Sequence, residues 1–380
     1  MVDALNSRTT FEYDGRNRLT VIHSPDTSTA SFGYDARGRR TSVTDGNGKV
    51  TQYAYDDADR LISVTDANNH MTAYGYDLEN NLTSITDANN HTTTFEYDAQ
   101  QHLTKTIFPS TKFESYTYDN VGNLMTKIDR KNQTISYAYD TMNRLVSKTY
   151  PDSTGVNYTY DDAGRLTQVQ DPTGTYSFIL DNMGRLKQTA TAYSFVSGNP
   201  FTIAYGYDAS SDRTSMTNPS NGNITYSYDT LNRLSNIQDY NNNNFGFSYD
   251  ALSRRTQMTR PNGVNTNYGY DALSNLQSVL HQAGVNTLDG ATYTYDVAGN
   301  RTSKTNLLNS TTSNYAYDNI YQLTGVTAPN PESYTYDPVG NRLSSQNVPS
   351  YSYNSSNEVT AAGSATYTYD DNGNTRTKTD

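Results

Sequence analysis

The segment Tyr137-Ala138-Tyr139-Asp140-Thr141-Met142-Asn143-Arg144-Leu145 recurs, with variations, along most of this 380-residue chain. Its central pair appears as Tyr13-Asp14, Tyr34-Asp35, Tyr55-Asp56, Tyr76-Asp77, Tyr97-Asp98, Tyr118-Asp119, Tyr139-Asp140 and Tyr160-Asp161, each 21 residues after the last. Leu180-Asp181 takes the next place, and the 21-residue step resumes over Tyr207-Asp208, Tyr228-Asp229, Tyr249-Asp250 and Tyr270-Asp271. The spacing then tightens through Tyr295-Asp296, Tyr317-Asp318, Tyr336-Asp337, Tyr353-Asn354 and Tyr369-Asp370, the last four steps being 22, 19, 17 and 16 residues. Two residues before each of these 18 positions stands another aromatic, from Phe11 to Tyr367. The two columns hold 30 of the 35 tyrosines and five of the ten phenylalanines, so the regularity is a property of the whole chain and identifies a repeat protein.

Aromatic-x-aromatic puts both rings on one face only in an extended chain. The flanking residues, as in Thr134-Ile135-Ser136-Tyr137, favour strands. The next four residues read as a turn, for example Asp35-Ala36-Arg37-Gly38 and Asp337-Pro338-Val339-Gly340. Asp first, Pro tolerated second and Gly or Asn fourth predict a type I turn followed by a left-handed residue such as Asn17, Asn143 or Asn232. A three-residue hairpin loop with a bulge follows, in which Tyr139 faces Leu145, Tyr55 faces Leu61 and Tyr228 faces Leu234. A second strand then runs to another Asp and a looser turn, such as Asp45-Gly46-Asn47-Gly48 or Asp66-Ala67-Asn68-Asn69. Leu61 and Val64 have opposite parity and share a face only across a bulge.

The expected fold is all-β: antiparallel hairpins forming one wide curled sheet, a hollow shell, spiral or large barrel. Hydrophobic content of 34% is thin for a two-sheet core, while a patterned 12% of aromatics argues against disorder. Two strands per unit give about 36 strands, and at ~4.8 Å spacing a sheet roughly 170 Å wide. Open sheets beyond ~10 strands curl, split or flatten. Closed into a ring, that width encloses a space on the order of 50 Å across. The chain reads as one array, 1–380, with regular units over 1–171, an irregular zone with an insertion over 172–206, regular units over 207–280, and an insertion with shortened units over 281–380. Within these zones, Thr191–Pro200 reads as a protruding loop and Gln282–Gly290 as an insertion.

Net charge is −11 with Lys and Arg dispersed, which argues against a nucleic-acid groove. There is no cysteine, hence no disulfide and no thiolate chemistry. No apolar run is long enough to span a membrane as a helix. Met1-Val2-Asp3-Ala4 does not open a signal peptide, and Asp380 falls at a repeat boundary, so the sequence reads as a piece of a longer protein.

The unit Tyr158-Thr159-Tyr160-Asp161-Asp162-Ala163-Gly164-Arg165-Leu166, like Tyr293-Thr294-Tyr295-Asp296-Val297-Ala298-Gly299-Asn300-Arg301, resembles the Rhs/YD-repeat family of bacterial Rhs polymorphic toxins, toxin-complex shell subunits and teneurins. The resemblance covers nearly the whole chain. It implies repeats that spiral into a hollow β-shell, in bacteria often around a toxic C-terminal domain, and hence a secreted or cell-surface bacterial protein. The family's self-cleaving C-terminal core is not found here; Asp337-Pro338-Val339-Gly340 is the turn of its own unit.

Candidate chemistry is sparse. His70 and His91 sit at equivalent places two strand spacings apart, too far to share one metal ion, and His23, His102 and His281 form no motif. The Asp column has the spacing of paired carboxylates, but its presence in nearly every unit is that of a turn residue. Asp370-Asp371-Asn372-Gly373-Asn374 fails the calcium-loop spacing. Arg18, Arg60, Arg144, Arg165 and Arg233 recur before the Leu position, placed to lie over the rings. The Tyr-Asp pairs are therefore a structural signature, and no catalytic, cofactor or metal residue is assigned. The function expected is a non-enzymatic shell segment for enclosure or scaffolding, with neighbouring repeats and an enclosed polypeptide as partners. The alternatives are a ring or filament subunit joined through free edge strands, and a glycan-binding surface module using the tyrosines.

Overall fold

The computed structural model describes residues 1–220 and 222–380, and among them there are 36 strands and no helix. By internal contacts the chain divides into two units, one made of Met1–Phe113 with Thr266–Asp380, the other of Glu114–Asn265. Both are built from the same hairpin.

One hairpin shows the rule. Thr10–Tyr13 pairs antiparallel with Leu19–His23, and Asp14 to Arg18 make the turn. Asn17 N–H donates to the Asp14 carbonyl at 2.9 Å, Asp14 N–H donates to the Arg18 carbonyl at 3.0 Å, and Asn17 holds φ at 60°. That is a type I turn closed by a left-handed residue, and it introduces one extra residue on the outgoing strand. The bulge answers the parity problem. In the unit of Tyr55, the partners run Tyr55 to Leu61 and Tyr53 to Val64, with the register slipping between Ala54 and Tyr55. Ile62 is the extra residue, turned outward and 37% exposed. Leu61 and Val64 thus share the face of both rings.

The second turn is not looser. Asp45 N–H donates to the Lys49 carbonyl at 3.0 Å and Gly48 N–H to the Asp45 carbonyl at 2.9 Å. Asp66, Asp87, Asp129 and Asp239 make the same pair of bonds, and so do Phe108 and Tyr150, which have no carboxylate. Position four of these last two turns is Thr111 (φ 66°) and Ser153 (φ 65°). The backbone of the five-residue turn, closed at both ends by strands, imposes the conformation there, and the side chain only assists.

The insertions become strand. Leu276–Ala283 and Asn286–Tyr295 extend one hairpin to a tight connection at Gly284 and Val285, so the stretch after Gln282 is ladder and not loop. Leu186–Tyr193 likewise runs three residues into the segment expected to protrude, leaving 194–200 as the connection, where Phe195 is 75% exposed.

Hardly anything is fully covered. Among the described residues the buried apolar side chain is Ala291, joined by the polar Thr106 and Thr266. Rings, leucines and valines along the strands are half-buried. The last four strands, from Tyr351 to Thr379, form a sheet of their own.

Candidate functional site: a clasp between successive repeats

Every motif aspartate is a turn residue in its surroundings. Asp56 Oδ1 accepts the backbone N–H groups of Ala58 and Arg60 at 2.9 and 3.0 Å, while Oδ2 accepts Arg60 Nε at 2.8 Å. The pattern repeats at Asp14, Asp140, Asp161, Asp229 and Asp250. Asn replaces Arg at Asp77, Asp119, Asp271, Asp296, Asp337 and Asp370, and its amide takes the place of the guanidinium against the carboxylate. Asp98 has His102, and within their own turns Asp208 and Asp318 keep the backbone bonds alone. Anions that accept several N–H bonds are stabilised in the charged form. The Arg18 side chain, helped by its backbone N–H, accordingly holds Asp14 down at about 2. At Asp35 desolvation pushes upward, and the bonds from Arg39 outweigh it to leave the carboxyl below its ordinary value.

The tyrosine faces backward along the chain. Tyr76 OH donates to the Leu61 carbonyl, in the preceding repeat, at 3.0 Å. Tyr34, Tyr55, Tyr97, Tyr160, Tyr207, Tyr228, Tyr249, Tyr295, Tyr317, Tyr336, Tyr353 and Tyr369 do the same to residues 19, 40, 82, 145, 186, 213, 234, 276, 301, 323, 342 and 359. Tyr118 and Tyr139 hold the equivalent place opposite Leu124 and Leu145, Tyr270 ends its strand, and Tyr13, which opens the series, is 56% exposed.

The arginine faces forward. Arg60, tied to its own Asp56, donates through Nη1 to the Asp77 carbonyl at 2.6 Å and lies 4.9 Å from the centre of the Tyr76 ring. Arg18 over Tyr34 (4.7 Å), Arg144 over Tyr160 (4.8 Å) and Arg233 over Tyr249 (4.8 Å) repeat it. Arg39 over Tyr55 and Arg185 over Tyr207 join the set. Arg165 still donates to the Asp181 carbonyl at 3.1 Å, but the next motif position is Leu180, which offers no ring. A junction with both arginine and tyrosine is thus a two-way clasp: ring and hydroxyl reach back, guanidinium reaches forward. The sequence placed the arginines over rings but not over the ring of the following unit, and it missed the hydroxyl bond.

A second set of contacts lies within the unit of 1–113 and 266–380. Asn47, Asn68 and Asn89, each in a second turn, donate through Nδ2 to the Oδ2 atoms of Asp296, Asp318 and Asp337 at 3.0, 3.3 and 2.9 Å. Lys49 Nζ reaches Asn319 Oδ1 at 2.6 Å, Lys112 Nζ reaches Asp371 at 3.0 Å, and Tyr321 OH donates to Asp45. Partners stand 248 to 276 residues apart in sequence, yet the second turns of early repeats meet the first turns of late ones in order. Burial, followed by the bond to Asp45, pushes the Tyr321 hydroxyl up to about 12.

His70, His91 and His102 belong to turns, while His23 and His281 lie in strands. His70 Nδ1 lies 3.2 Å from Asp66 and His91 Nδ1 3.6 Å from Asp87. His281, in the inserted hairpin, meets the buried Thr266 hydroxyl at 2.9 Å and lines a cavity of about 160 Å³ with Asp289 and Lys304. Among the described residues no three metal-binding side chains converge, and no helix is long and apolar enough to cross a membrane.

Comparison with known proteins gives two family matches. The profile described as Teneurin YD-shell matches residues 93–262 and 304–380, and the RHS Repeat profile matches 1–29 and 34–71. No curated protein matches the chain. Among solved structures, TcdB2-TccC3-Cdc42 superposes with a TM-score of 0.74 at 15% identity over 97% of this chain. The Photorhabdus luminescens Tc holotoxin pore and TcdB2-TccC3 each give 0.73 at 15% identity, also over 97%. The chain spans about a quarter of the length of those chains, 26%, 26% and 27% respectively. At such identity the likeness is one of fold.

Proposed function

The chain belongs to the teneurin YD-shell family, and from that premise we propose that it is a wall segment of a hollow shell that encloses a polypeptide, and that the protein is secreted or displayed at a bacterial surface. A structural shell is the family's role; enclosure is the further step. The observation that supports it is the near absence of a dry interior: 36 strands are held together with Ala291 as the buried apolar side chain among the described residues. The accessible surface of 22008 Å² exceeds the roughly 15,000 Å² expected of a compact 42.3 kDa monomer. Hydrogen-bonded clasps at repeat junctions do what a core does elsewhere, and they leave both faces of the ribbon available, one to solvent and one to cargo.

The test is small-angle scattering and electron microscopy of the purified chain, with a fused unstructured C-terminal passenger challenged by protease. A particle with a low-density centre and a protected passenger is the expected result. A solid globule, or a passenger cut as fast as the free peptide, would overturn the reading.

A further inference from the structure

The junction between the repeats of Tyr76 and Tyr97 has no arginine at either of two places in its turn. At the clasps described above, the fifth residue of the turn is arginine, and the third is also arginine at Arg16 and Arg37, whose Nη1 atoms reach the carbonyls of Ala36 and Asp57 at 2.6 and 2.7 Å. In the turn that begins at Asp77 the same two places hold Glu79 and Asn81. An open cavity of about 530 Å³ occupies the space; it is lined by Asn81, which stands in the arginine's place, and by the counterparts of the groups that hold the guanidinium at sister junctions: Asp77, Tyr97, Asp98 and Gln101. At two other junctions with asparagine in that place the side chain bridges forward, Asn123 to Asn143 and Asn341 to Asn357, both at 2.9 Å. Those two also donate back to their own aspartates, and Asn81 makes that backward bond, Nδ2 to Asp77 Oδ2 at 2.9 Å, without a forward one among the described residues.

The lining is what an incoming guanidinium requires. The Tyr97 ring is held in place by its hydroxyl bond to the Leu82 carbonyl at 2.9 Å. The carbonyls of Asp98 and Ala99 correspond to the acceptors used by Arg39 and Arg37 one junction earlier, namely Asp56 and Asp57. Acidity favours a cation: Asp98 has His102 at 3.1 Å, Glu96 has Lys105 at 3.6 Å and Asp77 has the charge of Arg60 nearby, whereas Glu79 makes no ion pair among the described residues. Both cations can lie over a ring, but only the planar guanidinium also presents a rigid fork of donors to several acceptors at once.

We propose that the cavity between the repeats of Tyr76 and Tyr97 binds a guanidinium group in trans, the side chain of an arginine, in the position that Arg60 fills in cis one repeat earlier. It is the imprint of a missing internal residue, and it is independent of the shell reading.

Saturation-transfer NMR with N-acetylarginine methylamide, its lysine counterpart and a glycine-arginine-glycine peptide tests this on the full chain. Both arginine probes are expected to bind at one saturable site, and the lysine counterpart at least tenfold more weakly. Free arginine and arginine within a peptide are distinguished by which probe binds tighter. Asn81→Arg should fill the cavity from within and weaken both arginine probes at least tenfold; Glu79→Arg does the same if Asn81→Arg does not fold. Arg60→Asn should open a second cavity over Tyr76 and double the ligand bound at saturation. Equal binding of the lysine probe, undiminished binding in a folded Asn81→Arg protein, or no second equivalent in Arg60→Asn would each overturn the proposal.

Discussion

Arg60 and Arg165 stand at the same place in their turns and differ by one ring and by a bond from Arg60 Nη1 to Asn80 Oδ1 at 3.1 Å, and that difference can be measured. Arg60 makes an ion pair with Asp56 at 2.8 Å, a bond to the Asp77 carbonyl at 2.6 Å and a contact with the Tyr76 ring at 4.9 Å. Arg165 makes the ion pair with Asp161 at 2.7 Å and the bond to the Asp181 carbonyl at 3.1 Å, with Leu180 where the ring would be. The ion pair, partly exposed, contributes about 0.3–0.5 kcal/mol. The hydrogen bond contributes about 1 kcal/mol, and guanidinium over a ring at a half-exposed site about 0.5–1 kcal/mol. Arg60→Ala should therefore destabilise its junction by about 2 kcal/mol and Arg165→Ala by about 1–1.5 kcal/mol. In a repeat array such losses fall on nearest-neighbour terms and not on the chain as a whole. The assay is native-state hydrogen exchange at the ladder joining successive repeats, Ser63 to Ala73 and Val64 to Thr72, where 2 kcal/mol raises exchange roughly 30-fold. Equal losses for the two variants would remove the ring from the account, and an effect spread evenly over the chain would remove the clasp.

Other expectations follow from the same geometry. Tyr76→Phe keeps the ring and loses the bond to the Leu61 carbonyl, so it should cost about 0.5–1.5 kcal/mol by urea titration, while Tyr74→Phe, two residues earlier, should cost less than about 0.5 kcal/mol. Tyr321 is raised in the folded state, so its contribution is fully present below the ordinary tyrosine value of 10.0 and is lost as pH rises to about 12. Exchange at the contacts between early and late turns should quicken across that window, and Tyr321→Phe should flatten the pH dependence. Asp14, Asp56, Asp119, Asp140, Asp161, Asp181 and Asp229 are lowered by the bonds they accept in their turns, so their contribution is present above the ordinary value of 3.8 and lost as pH falls through the folded values, which at Asp14 means about 2. Circular dichroism should show the ladder intact at pH 4 and failing on further acidification. Asn89→Ala should loosen the contact with Asp337 by about 1 kcal/mol and leave exchange in residues 114–265 unchanged.

Much of this was legible because the repeats comment on one another. The Tyr-x-Tyr-Asp pattern fixes strand, turn, register and the existence of a bulge, and Leu61 with Val64 shows where the bulge lies. One signal was present and unread: the motif column holds 17 tyrosines and no phenylalanine, whereas the column two earlier mixes 13 tyrosines with five phenylalanines. A ring needed only for packing tolerates Phe, so a column that never uses Phe is using its hydroxyl. The second turn was hidden because Phe108, Tyr150, Thr111 and Ser153 depart from turn composition while the backbone keeps the turn. The contacts of Asn47, Asn68 and Asn89 were out of reach for another reason. A period shows which residues are equivalent, but not which rows of turns meet some 250 residues later.

Near the end of the chain the repeats shorten to steps of 17 and 16, and strand pairing lapses: Arg342–Ser345 pairs with the strand before it, and Tyr351–Tyr353 belongs to a separate four-stranded sheet. Backbone hydrogen bonding alone would leave the two free of one another. Tyr353 OH nevertheless donates to the Arg342 carbonyl at 2.8 Å, and Asn341 Nδ2 to Asn357 Oδ1 at 2.9 Å, the same two-way clasp found where the ladder is whole. The clasp thus survives where the ladder fails. That order of persistence explains a composition poor in aliphatics and rich in tyrosine, aspartate, asparagine and arginine: a one-layer wall cannot draw on a core, so it is fastened at each junction by directed bonds. Tyr353→Phe with Asn341→Ala should then free the last four strands, seen as protease sensitivity between Ser345 and Tyr351, while the same pair of changes at Tyr139 and Asn123, where the ladder from Thr126 to Ser136 is intact, should not.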